Sequence, residues 1–222
     1  MADFQAIADA LVAGKIEKDS KYPPKLAGKP GVKERVQEAL DEGAAPGEIL
    51  AKGLIAGMEV VGKRFRDCEI FLPDVLMSAK AMHAAMDILR PRLSEGDTAG
   101  RGTIIIGTVE GDLHDIGKNL VAMMMEGAGM KVVDLGVDVS PAKFIQAAKD
   151  NPDAMVGMSA LLTTTMPSMG KTISALKEAG LPNMTVIGGA PTTQEFADEI
   201  GATIYAPDPT TAIEKIKARL AA

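Results

Sequence analysis

The sequence predicts a helical domain followed by an α/β domain: a four-helix bundle leading into a doubly wound parallel sheet of five strands. Three observations carry this prediction. Apolar residues recur at helical spacing through residues 1–90. From residue 103 onward, short β-branched runs alternate with amphipathic segments five times. Between them, Pro91-Arg-Leu-Ser-Glu-Gly-Asp-Thr-Ala-Gly-Arg-Gly102 has the composition of a linker, so the expected domains are 1–90 and 103–222.

Phe4, Ile7, Leu11 and Val12 share a face over residues 2–13 and predict the first helix. Residues 15–31 change character. Lys15, Lys18, Lys21, Lys25 and Lys29 alternate with Pro23, Pro24, Gly28 and Pro30, which reads as an exposed, solvated loop or, alternatively, a docking surface for an acidic partner. A second helix spans about Val32 to Glu42 and stops near Gly43. Pro46 suits the first turn of a third, running to about Arg66 with Ile49, Leu50, Leu54, Met58 and Val61 on its apolar face. Gly53, Gly57 and Gly62 on that helix each cost about 1 kcal/mol against alanine, so a neighbouring helix or a flat ligand is expected to approach closely. A fourth helix runs from about Pro73 to Leu89, with His83 beside its apolar stripe as a core-edge or partly exposed residue.

In the second half, strands are expected at 103–109, 131–135, 154–158, 184–187 and 202–205, with helices at about 116–127, 141–149, 167–179, 193–199 and 209–221. Five such units point to a flavodoxin-like, Rossmann-like sheet of order 2-1-3-4-5. Ligands of such sheets bind beyond the carboxyl ends of the strands at the topological switch point, here between strands one and three.

Composition excludes several classes. The 222-residue chain has a net charge of −6 and no Trp, unlike a protein built on phosphate contacts or base stacking, so no nucleic-acid partner is expected. Its one cysteine, Cys68, excludes an internal disulfide framework and a multi-cysteine metal centre. With Asp3 and Asp9 near the start and no apolar run approaching 18 residues, a cytoplasmic, soluble protein without membrane contact is expected.

The candidate site collects on one sheet edge. Gly111, Asp112, His114, Asp115, Ile116 and Gly117 follow the first strand; Ser159, Leu161, Thr163, Thr164 and Thr165 follow the third; Gly188, Gly189 and Ala190 follow the fourth. Glycine and Asp serve turns and helix caps in any strand-to-helix loop. A histidine facing a hydroxyl-rich loop, with a glycine pair beside it, also suits a large, flat ligand with a tail. No G-x-G-x-x-G or P-loop follows the first strand, which counts against a flavin or phosphate ligand. Met123, Met124 and Met125 read as core.

These residues also form a spaced signature. Asp112-Leu-His114-Asp-Ile-Gly117 is followed after 41 residues (118–158) by Ser159-Ala-Leu161, and after 26 more (162–187) by Gly188-Gly189. The pattern resembles the cobalamin-binding domain of corrinoid proteins and of methionine synthase. Residues 48–90, notably Gly53-Leu-Ile-Ala-Gly57-Met58 and Phe71-Leu-Pro-Asp-Val-Leu-Met-Ser-Ala-Lys-Ala-Met82, look like the helical cap that precedes it. The segment 15–31 departs from the family pattern. A cap plus one corrinoid domain most resembles the small corrinoid proteins of three-component methyltransferase systems.

The resemblance implies a cobalamin whose cobalt cycles between Co(I) and methyl-Co(III). His114 is implied as the lower axial ligand, its Nε2 replacing dimethylbenzimidazole, with Asp112 accepting the Nδ1–H and Ser159 hydrogen bonding that carboxylate; Asp115 is a rival for the Asp112 role. The nucleotide tail is implied to thread past Gly117, Gly188 and Gly189 in a channel lined by Ser159, Leu161, Thr163 and Thr165, with Gly111 and Ile116 also contacting the cofactor. Phe71, with Val75 or Met77, is implied to shield the methyl group from water. The implied partners are a substrate-specific methyltransferase acting on a methylamine, methanol, betaine or aryl methyl ether, a second methyltransferase using tetrahydrofolate or coenzyme M, and a reductive activator. The chain would then be a non-autonomous subunit rather than an enzyme by itself. A cobalamin-binding sensor or storage module is the alternative.

Overall fold

Asp3 opens the first helix, its Oδ1 accepting the Ala6 N–H at 2.9 Å, and α1 (Phe4–Val12) buries Ile7 and Leu11. The computed structural model describes residues 2–93 and 102–220, so most of the expected linker lies outside the described residues. Contacts divide the chain into two compact units, Met1–Gly100 with Gly127–Gly129, and Arg101–Glu126 with Met130–Ala222.

In the first unit, α1 packs against α2 (Val32–Asp41), against α3, which covers residues 46–66, and against α4 (Leu72–Leu89). The α3 stretch is an α turn at Pro46–Glu48, a π-helix at Ile49–Ile55 and an α-helix at Ala56–Arg66. The expected close neighbour of its glycines is α1. A Cβ on Gly53 would lie 2.9 Å from Ile7 Cγ2, and one on Gly57 would lie 3.1 Å from Leu11 Cδ2 and 3.2 Å from the Ala8 backbone. Ile7 is β-branched and fully buried, so it has little freedom to withdraw. Gly53→Ala is therefore expected to lower stability by about 1 kcal/mol despite alanine's better helix propensity, read as an earlier urea midpoint.

The segment 15–31 is largely the solvated loop expected, with Lys18, Lys21, Lys25 and Lys29 exposed, and Lys15 is the exception. Lys15 is fully buried, and its Nζ donates to the carbonyls of Ser20 (2.7 Å) and Lys18 (3.3 Å). Val32 and Lys33 donate their N–H groups to Lys15 and Ile16 carbonyls, closing the excursion at its base. Tyr22 Oη hydrogen bonds Asp74 Oδ1, and Asp74 Oδ2 caps α4 through the Phe71 N–H. An ammonium group tolerates burial when carbonyls accept its protons, which composition alone does not reveal.

The second unit is a five-stranded, all-parallel sheet of order β2-β1-β3-β4-β5, matching the expected topology. Its elements are β1 (Thr103–Thr108), α5 (Ile116–Gly127), β2 (Lys131–Asp134), α6 (Pro141–Asp150), β3 (Met155–Ser159), α7 (Pro167–Glu178), β4 (Thr185–Gly188), α8 (Gln194–Ile200), β5 (Ile204–Tyr205) and α9 (Pro209–Leu220). Alternation in β1 sends Ile105 to one face, with Phe144, Ile173 and Leu176, and Ile104 to the other, with Met125 and Ile216. Apolar layers on both faces explain why these strands read as near-continuous β-branched runs. Among the described residues no helix is long and apolar enough to cross a membrane.

Candidate functional site

The loop after β1 is shaped by hydrogen bonds made before any ligand is considered. Gly111 takes φ +84°, and its N–H donates to Asp138 Oδ1 at 2.7 Å. Thr108 Oγ1 donates to the His114 carbonyl at 2.8 Å. These contacts turn Asp112 inward, where it is 1 % exposed, and leave His114 at the surface.

Asp112 is the hub of the site. Its Oδ1 accepts from the His114 N–H (3.1 Å) and lies 2.7 Å from His114 Nδ1. Its Oδ2 accepts from Leu161 N–H (2.8 Å), Thr165 Oγ1 (2.7 Å) and, at 3.4 Å, Leu162 N–H. Burial by itself pushes this carboxyl up. The Leu161 N–H, the Thr165 hydroxyl and the two His114 donors outweigh that cost and hold it well below the usual carboxylate range. An ionised carboxylate only accepts, so Nδ1 carries the proton at this contact and the Nε2 lone pair of the neutral ring is free for a metal.

Beside His114 a slot of about 500 Å³ runs down into the sheet between α5 and α9. Its mouth is formed by Leu113, His114, Asp115, Ile116, Gly117, Ser159, Leu161, Gly188 and Gly189. Leu113 and Ile116 are each 72 % exposed and Leu161 is 43 % exposed, an apolar rim around the imidazole that suits the edge of a flat macrocycle. A Cβ at Gly117 would meet nothing within 4 Å, so space is open there. A neutral nitrogen donor, an apolar rim and a deep slot fit a corrinoid with a displaced tail.

Several expected details differ. The hydroxyl on Asp112 belongs to Thr165, not Ser159, because the turn at 162–165 folds Thr165 back beneath the loop. Ser159 instead ends β3 on the slot wall. Thr165 is thus buried behind the carboxylate, and Thr163 is exposed; neither lines the slot. Asp115 does not compete for the imidazole, since its Oδ2 accepts from Asn119 Nδ2 at 3.0 Å within the first turn of α5. Gly188 and Gly189 are required by the chain itself. A Cβ on Gly189, at φ +132°, would lie 1.9 Å from the Ala160 carbonyl oxygen, and one on Gly188 2.8 Å from that of Ala206. Of the cap residues, Val75 is fully buried and Met77 half-buried against Gly14, so only Phe71, 69 % exposed, presents its side chain outward. His83 is exposed.

The sequence reading missed the far wall of the slot: Val121 and Met125 of α5, and Ala206, Pro207, Asp208, Pro209 and Ala212 around the start of α9. Met125, one of the three methionines read as core, lines the slot as well as packing. The fifth βα loop, Ala206-Pro-Asp-Pro209, carried a signal in its proline spacing, but loop composition does not say which cavity a loop closes.

Comparison with known proteins identifies the family. The B12 binding domain family matches residues 102–216, and a second B12 binding domain family matches residues 28–90. The trimethylamine corrinoid protein 1 of Methanosarcina mazei is 46% identical over 187 residues, covering 82% of this chain and 87% of that protein. The dimethylamine corrinoid protein of Methanosarcina barkeri is 43% identical over 221 residues, covering 98% and 97%. Among solved structures, the methanol:cobalamin methyltransferase complex of M. barkeri superposes with a TM-score of 0.84 at 30% identity, covering 98% of this chain and 79% of that one. A cobalamin-binding protein from Desulfitobacterium hafniense superposes with a TM-score of 0.76 at 31% identity, covering 99% of both. The chain therefore belongs to the B12-binding family, as a corrinoid protein of the methyltransferase systems, and its cofactor is a cobalamin.

Proposed function

We propose that this protein is a methyl carrier that binds cobalamin with His114 as lower axial ligand and the nucleotide tail displaced into the slot. The observation that carries the proposal is the pair formed by Asp112 and the half-exposed His114 at the mouth of an apolar slot. When bound, the cofactor supplies a cobalt nucleophile in its Co(I) state and a transferable methyl group in its methyl-Co(III) state. His114 offers Nε2 to the cobalt, Asp112 holds the proton on Nδ1, and the Leu161 N–H and Thr165 hydroxyl keep Asp112 ionised and immobile. The contact between Nδ1 and Asp112 would fix the tautomer that presents Nε2 to the cobalt. Gly117 leaves room at the entrance of the slot, and Leu113, Ile116 and Leu161 exclude water beside the ring. Phe71 is the cap side chain we assign to shielding the methyl group.

Methyltransferase partners follow from the family. In our reading one loads the methyl group from a methylamine, methanol, betaine or aryl methyl ether, and the sequence similarity to trimethylamine and dimethylamine corrinoid proteins favours the methylamines. A second passes it to tetrahydrofolate or coenzyme M, and a reductive activator restores Co(I), all in the cytoplasm. The test is reconstitution with hydroxocobalamin followed by removal of free cofactor, reduction and exposure to methyl iodide. One corrinoid retained per chain, with a spectrum that cycles on reduction and methylation, is expected; a chain that retains the corrinoid but cannot be methylated would be a sensor or store.

A further inference from the structure

The slot below His114 carries its polar side chains near the mouth, behind the apolar rim, and has an apolar floor, and strand register measures the distance between them. Ser159 lies in one row with Thr108 and Gly188, and Gly157 in the row of Ile106 and Val186, two residues lower. Ile104, which also lines the slot, is four residues below Thr108, or about 13 Å at the rise of a parallel strand. Helix α5 provides an independent ruler, since Ile116 and Met125 both line the slot and nine residues of helix rise about 13.5 Å.

Polar side chains are confined to the upper part. Among the described residues that line the slot they are His114, Asp115, Lys118, Ser159 and Asp208, carried by loops, by the first turn of α5 or by the top strand row. Lys118 is occupied: its Nζ donates at 2.6 Å to Asn119 Oδ1 and to Asp134 Oδ2, and Asp134 ends β2, on the side of β1 away from β3. Asp208 accepts from the Thr211 N–H. Lower down the side chains are Ile104, Ile106, Val121, Met125, Val186 and Ala212. The strand amides and carbonyls there pair along the ladders, so among the described residues the floor offers no polar side chain and no free strand backbone group.

We infer that the slot selects the nucleotide base of its cofactor by this lack of polar partners, accepting a benzimidazole and discriminating against a purine such as adenine. The inference rests on the proposed placement of the nucleotide tail in the slot. The two bases have the same fused-ring shape. Adenine adds an exocyclic amine and two further ring nitrogens, each of which loses water without gaining a partner on this floor. Dimethylbenzimidazole instead carries two methyl groups, which gain contact with Ile104, Met125 and Val186. Discrimination of this kind is strong because it comes from unpaired polar atoms rather than from size.

The test is equilibrium binding of the apoprotein to two cobamides that differ only in this base, dimethylbenzimidazole or adenine, followed by corrin absorbance. The dimethylbenzimidazole form is expected to bind at least about tenfold tighter, equivalent to about 1.4 kcal/mol. Equal affinities, or tighter binding of the adenine form, overturn the inference and leave the carrier function standing. Retention of neither cobamide overturns both. Val186→Thr, nearly isosteric, places a hydroxyl on the floor and is expected to narrow the ratio at least about threefold by improving the adenine form. Ala212→Ser does the same from the α9 wall should the strand variant fold poorly. An unchanged ratio in a folded variant of both kinds overturns the assignment of the floor to the base.

Discussion

Replacing Asp112 by alanine is expected to destabilise the α/β unit by about 3 kcal/mol, because it strands several inward-facing donors at once. The Leu161 N–H, the Thr165 hydroxyl and the His114 N–H all point at this one carboxylate, and two of its partners lie some 50 residues further along the chain. The loss is measured by urea unfolding of the apoprotein. Asp112→Asn keeps the shape and one acceptor oxygen but turns an amide NH2 towards a donor, so it should fall between wild type and alanine. The effect has a defined pH dependence. The folded-state pKa of Asp112 is depressed, so its contribution is fully present above the ordinary aspartate value of about 3.9 and drains away as pH falls towards the folded value. The stability difference between wild type and Asp112→Ala should therefore be constant from about pH 5 to 7 and shrink below about pH 4. A difference that grows on acidification would show that Asp112 is not held ionised by its neighbours.

His114→Gly is expected to do the opposite, leaving the fold intact while abolishing axial ligation. The imidazole is half exposed, and the contacts that shape its loop use backbone atoms: the Thr108 hydroxyl binds the residue 114 carbonyl, and the residue 114 N–H binds Asp112. Glycine retains both and loses only the Nδ1 contact with Asp112, so the unfolding free energy should fall by about 1 kcal/mol, well short of the Asp112→Ala loss. In the cobalt(II) state, electron paramagnetic resonance of the wild-type holoprotein should show nitrogen coupling from a protein imidazole. The variant should lack it, and added free imidazole should restore it by entering the vacated space. Isotopic labelling of the histidine nitrogens should change the coupling pattern of the wild type, and a pattern unchanged by the label would remove His114 from the proposed role.

Together the two variants separate the parts of one device. Asp112 is buried and fully partnered, so it contributes to folding and fixes the tautomer of its neighbour. His114 is half exposed. In the proposed carrier that division would let the imidazole move without local unfolding, which a histidine locked into the core could not do.

The fold was legible because its signals are local and repeated. Ile104 to Ile106 with the β-branched runs after it announce buried parallel strands, and the amphipathic segments between them announce the crossovers, which leaves few ways to wind the chain. The Asp112-x-His114-x-x-Gly117 loop, Ser159-x-Leu161 and Gly188-Gly189 were legible as one edge of that sheet for the same reason, since strand order alone brings their loops together.

What sequence could not reach were the choices between chemically similar residues. Ser159 and Thr165 both carry hydroxyls near the end of β3, yet only Thr165 reaches Asp112, because the 162–165 turn reverses the chain. Gly188 and Gly189 looked like room for a ligand; they line the slot and are also demanded by the Ala206 and Ala160 carbonyls packed against them. Lys15 looked solvated and is buried on two carbonyls. Element order, sheet topology and the edge that carries the site follow from local pattern, because periodicity and spacing act through the backbone over short distances. Which hydroxyl holds the carboxylate, which glycines meet a neighbouring carbonyl and how deep the slot runs follow from packing. Those properties depend on how closely segments far apart in the chain pack together, which no local pattern encodes.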